Sequence, residues 1–323
     1  MKSINKAIIW ALLIILTVFI SCSIAVALFG KKIVISRIEE NLKTKASLGG
    51  ISLGLPFTLN LTNLEVGNLF KAERISANPD ILGFLAGKTV LNRLVIKNGE
   101  FIFSDKKLSP EGFKIIIGNI NAYFSKVMLP YAALNTELKL YANIMDVNAR
   151  IIGGVDALGW IDFGAKDMDA TLQIKNLDVT YFAPYYGDFI SNRKLLSAKL
   201  NLTSLLKATN NDLTIASSLK LSDLVYAKEE PPREGEPAAP DLVKNTLELF
   251  SDAKGNLSLD FSINTKLDNP GISISEFKRA ILNAAVKNLS HQPPEALIEK
   301  VTNTLGQFKD FRKELKNIFK KKE

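Results

Sequence analysis

The segment from Ala7 to Phe29 contains no charged residue, and it limits what the chain can fold into more than any other feature. At ~1.5 Å per residue, a helix of this length spans the ~30 Å hydrocarbon layer of a bilayer. A cleaved signal peptide also places basic residues before an apolar run. The length favours a retained transmembrane helix over residues 7–29, after a cytoplasmic N-terminus at residues 1–6. Lysines flank the run on both sides, so charge does not fix its orientation.

A second pattern begins shortly after the apolar run. Every second side chain between positions 51 and 61 is apolar, which predicts one face of an extended strand. Pro56 lacks the N–H that a ladder needs, so it indicates an edge strand or a bulge. The apolar face either packs into a protein core or is kept for an apolar ligand such as lipid. Its residues are Ile51, Leu53, Leu55, Phe57, Leu59 and Leu61.

The rest of the chain predicts a mainly β fold with flanking helices. Residues 30–48 carry apolar side chains at helical spacing, which predicts a juxtamembrane helix. Residues 49–274 contain strand-like segments about every 10 to 25 residues without regular helices between them, a pattern typical of antiparallel sheets. We expect this sheet to curl into an open β-groove or an incomplete barrel.

Within this region the sequence also predicts a turn or bulge, two short strands, a helix and a loop. Asn98-Gly99 signals a tight hairpin turn, but a bulge within one long strand is favoured because a second turn signal follows at 106–110. Segments 146–152 and 159–163 are predicted as two strands, and Tyr181 to Ile190 as a helix. The Pro- and Glu-rich segment 227–241 predicts a disordered loop.

The C-terminal region, residues 275–323, predicts amphipathic helices that are separated at Pro293-Pro294. The last helix ends in a basic cluster. This cluster either binds an anionic membrane surface or is a solvated helix end. It comprises Lys309, Arg312, Lys313, Lys316, Lys320, Lys321 and Lys322.

Composition argues against several classes of function. The net charge is +8, but no zinc-ligand spacing, helix-turn-helix pattern or aromatic-rich basic patch accompanies it, so we expect no nucleic-acid partner. The single cysteine, Cys22, cannot form an intrachain disulfide. The single histidine, His291, lies in a loop-like stretch with no visible nucleophile. We therefore expect no catalytic residue, cofactor or metal site, and no enzymatic activity.

Two blocks of sequence have a recognisable arrangement after the apolar run. The first has Leu82, Gly83, Leu85, Gly87 and Lys88 in a turn, then Leu91, Leu94, Ile96, Gly99 and Phe101 in a strand. The second contains Gly255, Leu257, Leu259, Leu267, Asp268, Pro270 and Ile274. In this order, the blocks resemble the AsmA-like family. Two departures are Thr265-Lys266, where the family often has a glycine, and isoleucine at 272 or 274 in place of an aromatic residue.

The resemblance implies a location and a function. AsmA-like proteins are anchored by one N-terminal helix in the inner membrane of diderm bacteria, with their bulk in the periplasm. Their longer members form an apolar β-groove and are implicated in moving phospholipids towards the outer membrane. We therefore expect residues 49–274 to form an AsmA-like domain that binds or conducts phospholipid, with the alternating residues from Ile51 to Leu61 as lipid contacts. Other envelope proteins are possible partners. The alternative is a non-catalytic structural, assembly or regulatory module of the envelope with a packed β core.

Overall fold

The computed structural model describes residues 16–55, 57–81, 83, 89–106, 112–129, 135–186, 195–227, 256–270 and 280. The predicted cytoplasmic N-terminus, nearly all of the Pro/Glu-rich loop and, apart from Ala280, the predicted C-terminal helices lie outside these residues. The chain divides into two compact units. The first unit contains the described residues of 1–105, 114–151 and 155–170, and the second contains those of 106–113, 152–154 and 171 onwards.

The N-terminal part of the described chain is one long helix. Helix α1 runs from Leu16 to Leu42 and is long and apolar enough to cross a membrane, a property that signal sequences share. A π-helical stretch interrupts it at Val26–Gly30. The helix ends before the predicted boundary at residue 48, because Lys43 adopts a left-handed φ of 52° and its N–H bonds to the Glu39 carbonyl. The Glu39 carboxylate then accepts the N–H of Ala46, where the first strand begins.

In the described residues, eleven antiparallel strands form a single sheet in which each strand pairs with its neighbours in sequence. The sheet is not closed into a barrel, since β1 and β11 stand at the two ends of the strand order. The predicted fold class is confirmed in these features. The strands are β1 (Ala46–Gly54), β2 (Thr58–Val66), β3 (Phe70–Pro79), β4 (Thr89–Asp105), β5 (Phe113–Leu129), β6 (Asn135–Met145), β7 (Ile151–Asp162), β8 (Asp167–Asp178), β9 (Leu195–Thr209), β10 (Asp212–Tyr226) and β11 (Leu257–Lys266).

The predicted strand over 51–61 is instead a hairpin. Strands β1 and β2 pair antiparallel, with Ile51 opposite Leu61 and Leu53 opposite Leu59. Three positions, 55–57, connect them, and Phe57 has a left-handed φ of 65°. The prediction of one extended strand was therefore wrong.

One other segment differs from the prediction. Strand β7 is a single strand from Ile151 to Asp162, where two were predicted, and Asp146 to Arg150 form a turn. The Asp146 side chain accepts the N–H groups of Asn148 and Arg150, which explains why the chain turns there. The predicted helix from Tyr181 to Ile190 is helical in its described part, with a 3₁₀ turn, Val179–Phe182, followed by one α-helical turn, Ala183–Tyr186. Positions 187–190 lie outside the described residues.

The second unit illustrates why these sequences form a sheet. In β10, residues alternate between buried or half-buried and exposed from Asp212 to Lys220. Leu219 lies opposite both Leu202 of β9 and Leu259 of β11, so the apolar residues form rows across the strands. Cross-strand pairs of this kind are the unit of sheet stabilisation.

A line of backbone kinks crosses neighbouring strands of the first unit. Asn63 in β2, Asn98 in β4 and Asn119 in β5 have left-handed φ values of 50°, 49° and 52°. Between Asn63 and Asn98, Glu73 of β3 occupies the same row, and its carboxylate accepts a hydrogen bond from the Asn98 amide. Asparagine tolerates this conformation better than most residues. Strand β4 runs unbroken through Asn98, which agrees with the favoured prediction of one long strand.

Each kink shifts the alternation of side chains by one residue. Leu61 and Leu64 are three positions apart, yet both pack in one cluster on either side of Asn63. Phe70 and Ile75 flank Glu73 and belong to the same cluster. One face of the sheet therefore stays apolar across the kinks.

Candidate functional site: the apolar face of the first unit

The candidate site is the apolar face of β1 to β6, which we call the front face. Directly opposed residues in a sheet lie on the same face. Two rows near the β1–β2 hairpin tip are made of such opposed residues. They are Ile51, Leu61, Ile75 and Ile96, and then Leu53, Leu59, Ala77 and Leu94.

The front face continues without interruption into β5 and β6. Ile96 of β4 packs against a cluster of Ile120, Ala122 and Ala142. In the same face, Phe124 lies opposite Leu138, and Ala122 lies opposite Leu140. A one-residue register shift in β5, between Gly118 and Asn121, keeps these side chains facing the same way.

Helix α1 packs on the front face at its β1 end. Val34, Ile35 and Ile38 contact a buried cluster that contains Leu48 and Leu64. These three helix residues recur at the spacing of one helix face, so the amphipathic pattern of residues 30–48 reflects packing on the sheet.

The same helix follows the hairpin towards its tip. The Cδ1 atom of Ile51 lies 3.0 Å from where a β-carbon on Gly30 would stand, so a larger residue at position 30 would displace the Ile51 side chain. Nearer the N-terminus, the ring of Phe19 meets the ring of Phe57, with centroids 5.7 Å apart. The apolar part of α1 and the hairpin tip are therefore in direct contact.

The six predicted lipid-contact residues divide into three groups. Ile51 and Leu61 are half-buried and pack against the cluster that α1 covers. Leu53 and Leu59 are half-buried and lie opposite each other next to the tip. Leu55 and Phe57 lie in the connecting turn, where Leu55 is 78% exposed. Four of them thus share the front face, while the turn residues do not belong to a strand.

The opposite face of the hairpin is polar and internally hydrogen-bonded. The Ser76 hydroxyl donates to the Asn60 side-chain oxygen at 2.7 Å, and the Asn78 amide donates to the Thr58 hydroxyl at 3.2 Å. The Asn60 amide also donates to the Thr58 carbonyl. These polar groups satisfy one another next to the hairpin tip, a feature that the apolar alternation of the sequence does not indicate.

The front face can offer aliphatic and aromatic contact but little polar chemistry. On β5 and β6, Ile117, Phe124, Leu138 and Leu140 are half-buried, whereas Ile120 and Ile144 are buried. In the part of the chain that the structure describes, no large side chain is fully buried. Within the same residues, no three His, Cys, Asp or Glu side chains come together as a metal-binding group. An apolar ligand is the kind of molecule that such a surface can hold.

The remaining predicted site and most of the turn motif lie outside the described residues. The basic cluster from Lys309 to Lys322 lies outside the described residues, as do Leu82, Leu85, Gly87 and Lys88. The strand motif from Leu91 to Phe101 lies within β4, and Leu257 and Leu259 lie within β11. Comparison with models of known families, with characterised proteins and with solved structures gives no match.

Proposed function

We propose that this is a membrane-anchored protein that binds or conducts phospholipid along its front face. The sequence blocks that resemble the AsmA-like family motivate the lipid and the periplasmic location. In this proposal α1 is retained in the inner membrane, and the sheet lies in the periplasm and serves envelope lipid homeostasis. No catalytic residue, cofactor or metal takes part.

One observation carries the proposal: an apolar sheet face begins against an apolar helix and continues over six strands, and many of its larger side chains are only half-buried. An acyl chain in water is unfavourable by ~0.8 kcal/mol per CH₂ group, so it needs apolar contact along its whole route. Alternating strands provide such contact on one face and leave the other face polar.

The dimensions of the front face suit an acyl chain. Six neighbouring strands are separated by five spacings of ~4.8 Å, which gives ~24 Å across β1 to β6. One leaflet contributes about half of the ~30 Å hydrocarbon layer. The front face of the first unit is therefore wide enough to shelter a single acyl chain along its length.

Site-specific photo-crosslinking in cells tests the proposal. The photoreactive residue p-benzoylphenylalanine would replace Leu140, which lies on the front face away from the cluster covered by α1. The matched control replaces Tyr141, the next residue in β6, which points to the other face and is 49% exposed. We expect phospholipid adducts by mass spectrometry at 140 and none at 141. Equal adducts at both positions, or none at 140, would reject the proposal.

The same crosslinking experiment also tests a second function, that of a structural module with a packed core. This function is favoured by the packing of α1 on part of the front face. The contacts of Val34, Ile35 and Ile38 with Leu48 and Leu64 are those of an ordinary packed core. An envelope structural, assembly or regulatory module would use the whole front face in this way. In that case, the crosslinker at Leu140 would react only within the chain or with a protein partner.

A further inference from the structure

The β1–β2 hairpin has an unusual composition. From Ala46 to Leu64 the chain carries no charged residue, and Lys45 and Glu65 stand immediately outside this stretch. The stretch covers almost all of β1 and β2 and their connection. Apart from Glu65 near the end of β2, the hairpin is therefore a second uncharged segment, after the run from Ala7 to Phe29.

The two uncharged segments lie side by side. Ile51 meets α1 at Gly30, and Phe57 meets it at Phe19. Phe19 precedes Gly30 by eleven residues, which is ~16 Å along a helix. The strand from Ile51 to Gly54 covers ~10 Å of this distance, and the connection that holds Phe57 follows it. The hairpin thus runs back along the helix into the part that is apolar enough to cross a membrane.

The surface of the hairpin tip suits a membrane. Leu55 is 78% exposed and projects from a turn with no charged neighbour within the hairpin. The polar side chains nearest the tip, including Thr58 and Asn60, already have hydrogen-bond partners, so moving them out of water costs less. Arg93 of β4 lies opposite Asn78 and is exposed, and a basic residue there can meet a lipid phosphate.

We propose that the tip of the β1–β2 hairpin, from Leu53 to Leu59, enters the bilayer leaflet beside α1 as a second membrane-contacting element. Its apolar side chains reach the acyl layer. The outer edge of β1 carries backbone groups that need hydrogen-bond partners, which hydrocarbon does not offer. This requirement limits insertion to the tip and keeps the rest of β1 in the headgroup layer or in water.

Insertion would place the front face in direct contact with membrane lipid. Leu53 and Leu59 stand at the tip end of the front-face rows, so an acyl chain could pass from the leaflet onto the sheet without crossing water. This use of the hairpin rests on the proposed function. The insertion itself rests only on α1 crossing a membrane.

Fluorescence quenching in vesicles tests the insertion. The full chain, with Cys22→Ser, would carry a single new cysteine labelled with the polarity-sensitive dye NBD and would be reconstituted in phosphatidylethanolamine–phosphatidylglycerol vesicles. The test variant is Leu55→Cys. The control is Ser47→Cys, which is exposed near the start of β1, about eight residues and ~26 Å away. Circular dichroism confirms that both labelled proteins are folded.

We expect the label at position 55 to emit at shorter wavelength and to lose at least about half of its intensity to doxyl-labelled lipids, as a membrane-inserted group does. The label at position 47 should keep its aqueous spectrum. A water-like, unquenched spectrum at 55 would overturn the insertion. Quenching at 55 together with no lipid adduct at Leu140 would leave the insertion standing and reject lipid conduction.

Discussion

The ring of Phe57 lies edge-on against the ring of Phe19, with centroids 5.7 Å apart and planes inclined by 72°. This geometry is favourable because the positive edge of one ring meets the negative face of the other. Phe57 belongs to the β1–β2 connection and Phe19 to the apolar part of α1. The contact therefore joins the hairpin tip to the helix at a point remote from the main packing around Leu48 and Leu64.

Replacing either ring with leucine should lower the free energy of unfolding. Replacing both should lower it by less than the sum of the two single losses. We expect a coupling of about 0.5–1.5 kcal/mol between Phe19→Leu and Phe57→Leu. Leucine keeps apolar bulk at both positions. The measurement is a double-mutant cycle of thermal unfolding in detergent micelles, with Leu55→Ala as a control because Leu55 is exposed. Strictly additive effects would mean that the rings do not interact.

Gly159 is required by a close backbone approach between β7 and β8. Its φ is 155°, and a β-carbon there would overlap the carbonyl oxygen of Asp169 and the Cα atom of Ala170. We expect Gly159→Ala to lower the free energy of unfolding by about 3 kcal/mol, from backbone strain and overpacking.

The matched control is Gly54→Ala, where a β-carbon would lie 3.2 Å from the flexible Asn60 amide nitrogen and 3.6 Å from the Thr58 carbonyl. That variant should unfold at nearly the wild-type denaturant concentration. Chemical denaturation of both variants measures the difference, and an equal loss at both positions would contradict the backbone explanation.

Asp146 should make stability depend on acid pH. The backbone N–H of Arg150 is the main cause that holds the pKa of this carboxyl below its ordinary value. Burial opposes this effect, while the N–H of Asn148 and the charge of Arg150 support it. A carboxyl whose pKa is lower in the folded state stabilises the protein above its unfolded pKa of about 3.9, and this stability is lost as pH falls through the folded value.

The Asp146→Asn variant should therefore be less stable than wild type at neutral pH, and the difference should shrink below about pH 4. Melting temperatures between neutral pH and about pH 3 measure this. Asp260→Asn on the exposed side of β11 serves as the comparison. If the difference in melting temperature between Asp146→Asn and wild type stays constant with pH, the effect of Asp146 comes from its packing and not from its charge.

Ser204 and Ser217 form a buried hydroxyl pair on the apolar side of β9 and β10. Their oxygens are 2.8 Å apart, and the residues are 4% and 7% exposed. Ser204→Ala should cost about 1–2 kcal/mol because it leaves the Ser217 hydroxyl without its partner. Adding Ser217→Ala should restore part of this loss, since no buried hydroxyl of the pair then remains.

Chemical denaturation of the two single variants and the double variant measures this non-additivity. Ser218→Ala, an exposed change in the next position of β10, should stay within about 0.5 kcal/mol of wild type. If the double variant loses as much as the two single losses together, the hydroxyls act independently.

The sequence predicted the sheet but not the hairpin at Ile51 to Leu61. The reason is that odd-numbered residues keep the same side of the sheet before and after the turn. Leu53 lies opposite Leu59 and Ile51 opposite Leu61, so odd-numbered residues face the same side in both strands. Apolar alternation therefore passes through the turn without a break, and periodicity alone cannot reveal the turn. The proline at position 56 was read as an edge or bulge signal, whereas it stands between two strands.

Tertiary contacts explain the other features that sequence reasoning missed. Val34 and Ile38 were read as a helix at the membrane surface, but they pack on the front face. The packing of Phe19 against Phe57 depends on the path of α1 across the sheet, which no local pattern encodes. By contrast, the irregular backbone at Asn98-Gly99 could be predicted from the local sequence, because asparagine and glycine both accept positive φ.

The backbone kink at Asn98 should restrict which residues this position of β4 accepts. Its φ is 49°, and its amide donates to Glu73 of the neighbouring strand. Asn98→Val should lower the free energy of unfolding by about 1–2 kcal/mol, because a β-branched residue is strained at positive φ. Asn98→Gly keeps the backbone freedom and loses only the exposed hydrogen bond, so it should cost less than Asn98→Val.

Lys97→Val provides the matched control, since Lys97 is exposed in the same strand and pairs with Arg74 in regular register. Valine favours strands, so this change should be neutral or slightly stabilising. Denaturant unfolding of the three variants separates the two explanations. If Asn98→Gly loses as much as Asn98→Val while Lys97→Val stays neutral, the hydrogen bond to Glu73 and not the backbone conformation makes asparagine necessary at the kink.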